Sequence, residues 1–136
     1  MKLPPLEIDT PGATALVEIT AQVRSALRAS GVRAGLLVAF VPHTTAGITL
    51  QENADPDVKH DLLLALENAV PPRPARGTFR HAEGNSDAHV KASLVGSSVT
   101  LLVRDGDLAL GTWQGIQLCE FDGPRTRSVW LEVLPG

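Results

Sequence analysis

The chain has 136 residues, 43 % of them apolar, and a net charge of −3. That is an ordinary length for one domain, here 1–136, and enough apolar material for a core. With three Phe, two Trp and no Tyr, the core has to be built from Leu, Val, Ile and Ala. A folded chain of this size buries roughly 68 % of its unfolded surface, so no staple is needed. The twelve basic residues are scattered, which argues against nucleic acid as a partner. Arg73, Arg76 and Arg80, and Arg125 with Arg127, read as solvated surface. No apolar stretch reaches bilayer length and the first residues hold no apolar signal core, so a cytoplasmic protein with no membrane partner is expected. The single cysteine, Cys119, sits in the apolar run Ile116 to Phe121 and reads as a small buried hydrophobe.

Residues 6–9 alternate and suit a short strand, and Pro11-Gly12 marks a turn. Ile19, Val23, Ala26 and Leu27 have helical spacing, which predicts a helix over 20–30 with Thr20 as N-cap and Gly31 as C-cap. The continuous apolar run 35–41 predicts a central strand buried on both faces. After His43-Thr44-Thr45-Ala46-Gly47, residues 48–50 resume a β pattern. Asp55 and Pro56 open a second helix, whose apolar face (Leu62, Leu63, Leu66, Ala69) runs to about residue 70.

A proline-rich connection (Pro71, Pro72, Pro74) leads into the polar segment 78–89. A short helix over about 88–95 is closed by Gly96. The last forty residues read as a β meander: strands at 99–103, 108–110, 115–121 and 128–134, with a hairpin turn at Asp105-Gly106. The order predicts an α+β fold, a mostly antiparallel sheet or sandwich with two main helices.

Three segments carry chemistry-bearing residues. His43 follows a strand, where a side chain can project into a cleft, and His81 and His89 lie in a loop too polar for a core. Three imidazoles with an open position suit a divalent ion such as zinc. Glu52, Glu83 or Asp87 would then serve as carboxylate ligand, second partner or general base. Loop histidines that only hydrogen-bond locally are the competing reading, and the eight-residue gap between His81 and His89 matches no compact zinc motif. Glu52 and Asn53 either face the same cleft as His43 or belong to a solvated turn. Trp113, in Gly111-Thr112-Trp113-Gln114-Gly115, either walls a ligand pocket with Gln114 beside it or caps the core at a sheet edge. His60, next to Asp57 and Asp61 on the second helix, stands outside these segments. There is no Gly-rich phosphate loop, GxSxG, HExxH or CxxC.

Taken together, Val41–Gly47, Glu52–Asp57, His81–His89, Leu108–Ile116 and Glu120–Arg125 resemble the signature of the YjbQ family, over about residues 6 to 134. The resemblance implies a small α+β domain that forms a homotrimer. It also implies a small-molecule enzyme with secondary thiamine-phosphate synthase activity. The implied cleft is lined by His43, Thr44, Glu52, Asn53, His81, Asn85, Asp87, His89, Trp113, Gln114 and Arg125. That reaction joins a pyrimidine diphosphate to a thiazole phosphate and expels pyrophosphate, so a divalent cation (zinc or magnesium) or an Arg has to neutralise the leaving group. Arg125, Arg127 and Trp113 suit the anion and the pyrimidine. Without a Gly-rich loop for the diphosphate, the reaction fits a side activity better than a main one. A hydrolytic metal enzyme and a non-catalytic metal- or ligand-binding trimer are the alternatives.

Overall fold

Side-chain alternation along the strands decides where the core lies. The computed structural model describes every residue from Met1 to Gly136. In chain order it contains β1 (Leu6–Asp9), β2 (Ala15–Glu18), α1 (Thr20–Ser30), β3 (Gly35–Phe40), β4 (Ala46–Glu52), α2 (Pro56–Ala69), α3 (Ser86–Val95), β5 (Ser98–Arg104), β6 (Asp107–Leu108), β7 (Gln114–Glu120) and β8 (Thr126–Pro135). The strands form two antiparallel sheets, of order β1-β8-β3-β5-β6 and β2-β7-β4. In the larger sheet Leu37 stands opposite both Leu101 and Val133. These side chains share one face and meet Ile48, Ile116 and Leu118 of the smaller sheet. Val23 and Leu27 of α1 close the same core. Each such residue contributes roughly 1.5–3 kcal/mol on burial.

The other face of the smaller sheet lies under α2 and α3. There Cys119 and Phe121 pack with Ala88 and Ala92, bordered by Leu16, Leu66 and Val95. The layers are therefore large sheet, small sheet and the pair α2 and α3, with α1 packed into the core between the sheets. No helix is long and apolar enough to cross a membrane.

Several elements form as their sequence dictates. The Asp55 carboxylate accepts from the Asp57 N–H at 2.9 Å, with Pro56 at the first helical position. Gly31 ends α1 at φ 75°, a conformation that glycine adopts without strain. Asp105 and Gly106, both at positive φ, make the hairpin turn between β5 and β6.

Other expectations are corrected. Thr20 does not cap α1, since Ile19 is the N-cap. The Thr20 hydroxyl instead accepts from the Ile116 N–H and donates to Glu18. β3 is central but not buried on both faces: Leu36 and Phe40 are exposed while Leu37 and Ala39 are buried. The last forty residues are not a meander. β7 leaves the large sheet to pair with β2 and β4, and β8 returns to lie between β1 and β3. β6 is only two residues long, and β2 is a strand that the sequence reading did not contain. The two main helices and the short third one all form, the third (α3) beginning at Ser86, two residues earlier than expected.

Candidate functional site

β4 is the axis along which the candidate residues are distributed. At its start, His43 and Thr44 share a cleft of about 400 Å³ with His89 and Ser93 of α3. α3 reaches this position because β4 has glycine at 47. A Cβ there would lie 2.7 Å from the Gly96 carbonyl oxygen. His89 stacks edge-on against His81 with ring centres 5.3 Å apart. The Glu83 carboxylate stands 3.8 Å from His81 Nε2.

Asn85 Nδ2 donates to Asp122 at 2.8 Å, and the Arg125 guanidinium binds the same carboxylate at 3.2 Å. Arg125 Nε also donates to the Asp122 carbonyl, so Nη1 is left without a partner in the chain. Asn85 Oδ1 is buried and has no hydrogen-bond donor. Asp87 faces Lys91, whose ammonium is buried beside Glu67. His43, Thr44, His81, Glu83, Asn85, His89 and Arg125 thus gather at one end of the molecule.

His43 departs from the expected ligand role. Its Nε2 accepts the Ser128 N–H at 2.9 Å, so in the neutral ring Nδ1 carries the proton and donates. Burial, then the nearby Arg127 charge, lower its pKa, with Glu120 and Glu7 opposing. The ring is held neutral at pH 7. His81 and His89 remain as candidate ion ligands. Two imidazoles bound tetrahedrally to one ion at about 2.0–2.1 Å have ring centres roughly 5 Å apart; the 5.3 Å, near-perpendicular arrangement of this pair meets that spacing and is equally that of an edge-to-face ring contact. Within one chain, no three His, Cys, Asp or Glu side chains converge closely enough to hold a metal.

Beneath the cleft lies an ion pair that the sequence reading missed. Glu120 is fully buried and Arg127 is 2 % exposed. Arg127 Nε donates to Glu120 at 2.9 Å, and Nη2 donates to the Thr45 hydroxyl at 2.8 Å. Glu120 also accepts from the Thr10 hydroxyl and the Asp122 N–H. Burial pushes the Glu120 carboxyl up, but the bonds from Arg127, Asp122 and Thr10 outweigh it and leave the pKa below its ordinary value. Arg127 is therefore not a surface residue and is not free to meet a phosphate. Its work is to fix the 43–46 loop and the Asp122 turn. Burial pushes the Cys119 thiol up to about 12, which removes it as a nucleophile.

Glu52, Asn53, Trp113 and Gln114 lie at the other end of β4. Antiparallel pairing sets Glu52 opposite Gln114 and Ala46 opposite Glu120. Six residue steps of strand separate the ends by roughly 20 Å. In one chain these residues do not share the histidine cleft. Asn53 Nδ2 donates to the Gln114 carbonyl at 3.1 Å, and Gln114 Oε1 accepts from the Gly111 N–H at 2.9 Å. Both side chains clamp the 111–114 turn. Trp113 is 62 % exposed and lines a shallow hollow with Glu52 and Asp55. His60 is exposed and paired with Asp61, away from either group.

A two-sheet α+β scaffold with helices on the smaller sheet, holding a histidine, amide and arginine cluster at one end, defines the class of protein. The chain belongs to the UPF0047 YjbQ-like family, whose model matches residues 5–136. A UPF0047 protein of Methanocaldococcus jannaschii is 50 % identical over 94 % of this chain and 91 % of that one. The YugU protein of Bacillus subtilis is 46 % identical over 95 % and 96 %. A crystal structure of a YjbQ/UPF0047 family protein from Clostridium acetobutylicum superposes with a TM-score of 0.91 at 47 % identity, covering 96 % and 99 % of the chains. A YjbQ-like protein from Sulfolobus solfataricus reaches the same TM-score at 32 % identity, covering 98 % and 96 %.

Proposed function

We propose that the chain is a small-molecule enzyme whose histidine end handles a phosphorylated substrate together with a divalent cation, zinc or magnesium. The observation that carries this reading is the packing of His81 against His89, ring centres 5.3 Å apart, at a cleft that His89 lines together with a neutral His43, while Arg125 is held at the same end through Asp122 and Asn85. A divalent ion held by His81 and His89 would neutralise charge on a departing pyrophosphate. Arg125, fixed by Asp122, presents its remaining guanidinium edge to the same anion. Neutral His43 donates a hydrogen bond from Nδ1, and the Asn85 carbonyl oxygen accepts one. Glu83, exposed beside His81, is the candidate proton acceptor.

Thiamine-phosphate synthase activity of the secondary kind implied by the family resemblance is the reaction to assay, with a homotrimer as the working assembly. Purified protein is incubated with the pyrimidine diphosphate and thiazole phosphate, with and without chelator. Slow, chelator-sensitive formation of thiamine phosphate that falls at least tenfold in Arg125→Ala supports the reading. Release of phosphate from the diphosphate alone supports a hydrolase, and no turnover of either kind leaves a metal- or ligand-binding trimer.

A further inference from the structure

The function proposed above leaves the turn Gly111-Thr112-Trp113-Gln114-Gly115 unused, yet several groups are committed to holding its shape. The Gln114 side chain accepts from the Gly111 N–H, and Asn53 Nδ2 donates to the Gln114 carbonyl. The Asn53 N–H donates to the Trp113 carbonyl at 2.9 Å. Gly115 leaves room behind the turn, since a Cβ there would lie 2.6 Å from the Glu18 carboxylate and 2.8 Å from the Asn53 Cβ. None of these contacts buries the indole. Trp113 is 62 % exposed and joins neither hydrophobic cluster, so it does not cap the core. A single exposed apolar side chain is ordinary; what distinguishes this one is its neighbours.

Trp113 walls a hollow of about 450 Å³ whose other lining residues are Glu52, Ala54, Asp55 and Pro56. Glu52 is half-buried. Its backbone bonds to Gln51 and Gln117, while its carboxylate has no partner in the chain. Asp55 uses one oxygen to cap α2 and keeps the other. No base lines the hollow; Lys59, the nearest to Asp55 in sequence, is a turn further along α2. The start of α2 also borders the hollow, and a helix start ordinarily favours an anion through about half a positive charge and its free N–H groups. Here Pro56 has no N–H, and the N–H groups of Asp57 and Val58 are both taken by Asp55. Asp57 adds a further negative charge in that turn. The carboxylates therefore set the field. An indole face beside unpaired carboxylates attracts a cation, and the ring also covers the cation's methyl or methylene groups.

We propose that the Trp113–Glu52–Asp55 hollow binds a small organic cation, an alkylated or quaternary ammonium group, independently of the histidine cleft at the other end of β4. The clamped turn holds the indole in place for it, so no rearrangement of the backbone accompanies binding. An anion is repelled by the carboxylates, and a neutral molecule of the same size gains nothing from them. The site uses none of the ligand chemistry proposed above and stands or falls apart from it.

Trp113 is its own reporter. Trp130, the only other tryptophan, lies on the large sheet opposite Phe40, so Trp130→Phe leaves a single indole. That variant is titrated with tetramethylammonium chloride, with potassium chloride at equal concentration, and with tert-butanol, which is of similar size and uncharged. A saturable change in Trp113 emission is expected with tetramethylammonium alone. Adding Glu52→Gln should weaken it about fivefold, and Glu52→Gln with Asp55→Asn should abolish it. Asparagine caps a helix as aspartate does, so the double change keeps α2. In the unaltered chain, the same cation should shift the Trp113 indole N–H resonance and leave that of Trp130 in place. The proposal is overturned by the absence of a saturable response, by an equal response to potassium chloride or tert-butanol, by undiminished affinity in the doubly neutralised variant, or by an equal shift at Trp130.

Discussion

The Glu120–Arg127 pair is the residue-scale feature on which the histidine end depends. Each charge satisfies the other, and removing one leaves the survivor buried without a counter-ion. Glu120→Ala is expected to destabilise the fold by about 3–5 kcal/mol, whereas Glu120→Leu with Arg127→Met should recover much of that stability while disordering the 43–46 loop. Urea unfolding of both variants checks this, and a loss below about 1 kcal/mol in the single variant, the level of a surface pair, would contradict the role given to the pair. Both charges were legible in principle. Glu120 is in phase with Ile116 and Leu118, and Arg127 with Val129, Leu131 and Val133, all buried. Alternation places a residue on a face, but it does not say that a charge there has found a partner.

His43 supplies a second residue-scale prediction. Its pKa is lower in the folded chain than in the unfolded one, so below about pH 6.5 the unfolded chain takes up a proton first. The stability held by neutral His43 is present above that pH and is lost as pH falls toward the folded value. His43→Gln keeps an acceptor for the Ser128 N–H but does not titrate. Its melting temperature should therefore lie below the wild type at pH 7.5 and approach it by pH 5. A constant difference across that range would mean that His43 does not sense pH.

At the scale of elements, glycines govern how closely the layers approach. At Gly47 an added Cβ meets the Gly96 carbonyl oxygen at 2.7 Å, and the obstacle is backbone. At Gly111 the nearest atom is the end of the Gln114 side chain, 3.2 Å away. Gly47→Ala should cost about 1–3 kcal/mol by forcing α3 off β4, and Gly111→Ala well under about 1 kcal/mol. Equal effects by denaturant titration would refute this view of α3 packing. The strands and helices were mostly visible because β-branched runs, Asp55-Pro56 and Asp105-Gly106 act locally. Sheet membership was not. The Asp122-Gly123-Pro124 turn has hairpin composition, yet it carries the chain between sheets. What decides this is the Glu120–Arg127 bond across the arch and the pairing of β7 with β2 and β4, neither of which is local.

At the scale of the whole molecule, the motifs identified the family and the cluster His43, His81, Asn85, His89 and Arg125, all of which the fold brings to one end. The sequence could not show that Glu52 and Trp113 stand at the other end, since their distance follows from the length and register of β4. Nor could it show that the apolar run of β3 leaves one face open. The central claim is that His81 and His89 hold a divalent ion. The most direct test is a calorimetric zinc titration of the wild type, His89→Ala and His60→Ala at pH 7.5, repeated at pH 5.5, where competing protons weaken imidazole ligands. We predict saturable binding by the wild type and His60→Ala at pH 7.5, weakened at pH 5.5, and a loss of at least tenfold in affinity for His89→Ala. Equal affinity in the wild type and His89→Ala would contradict the account.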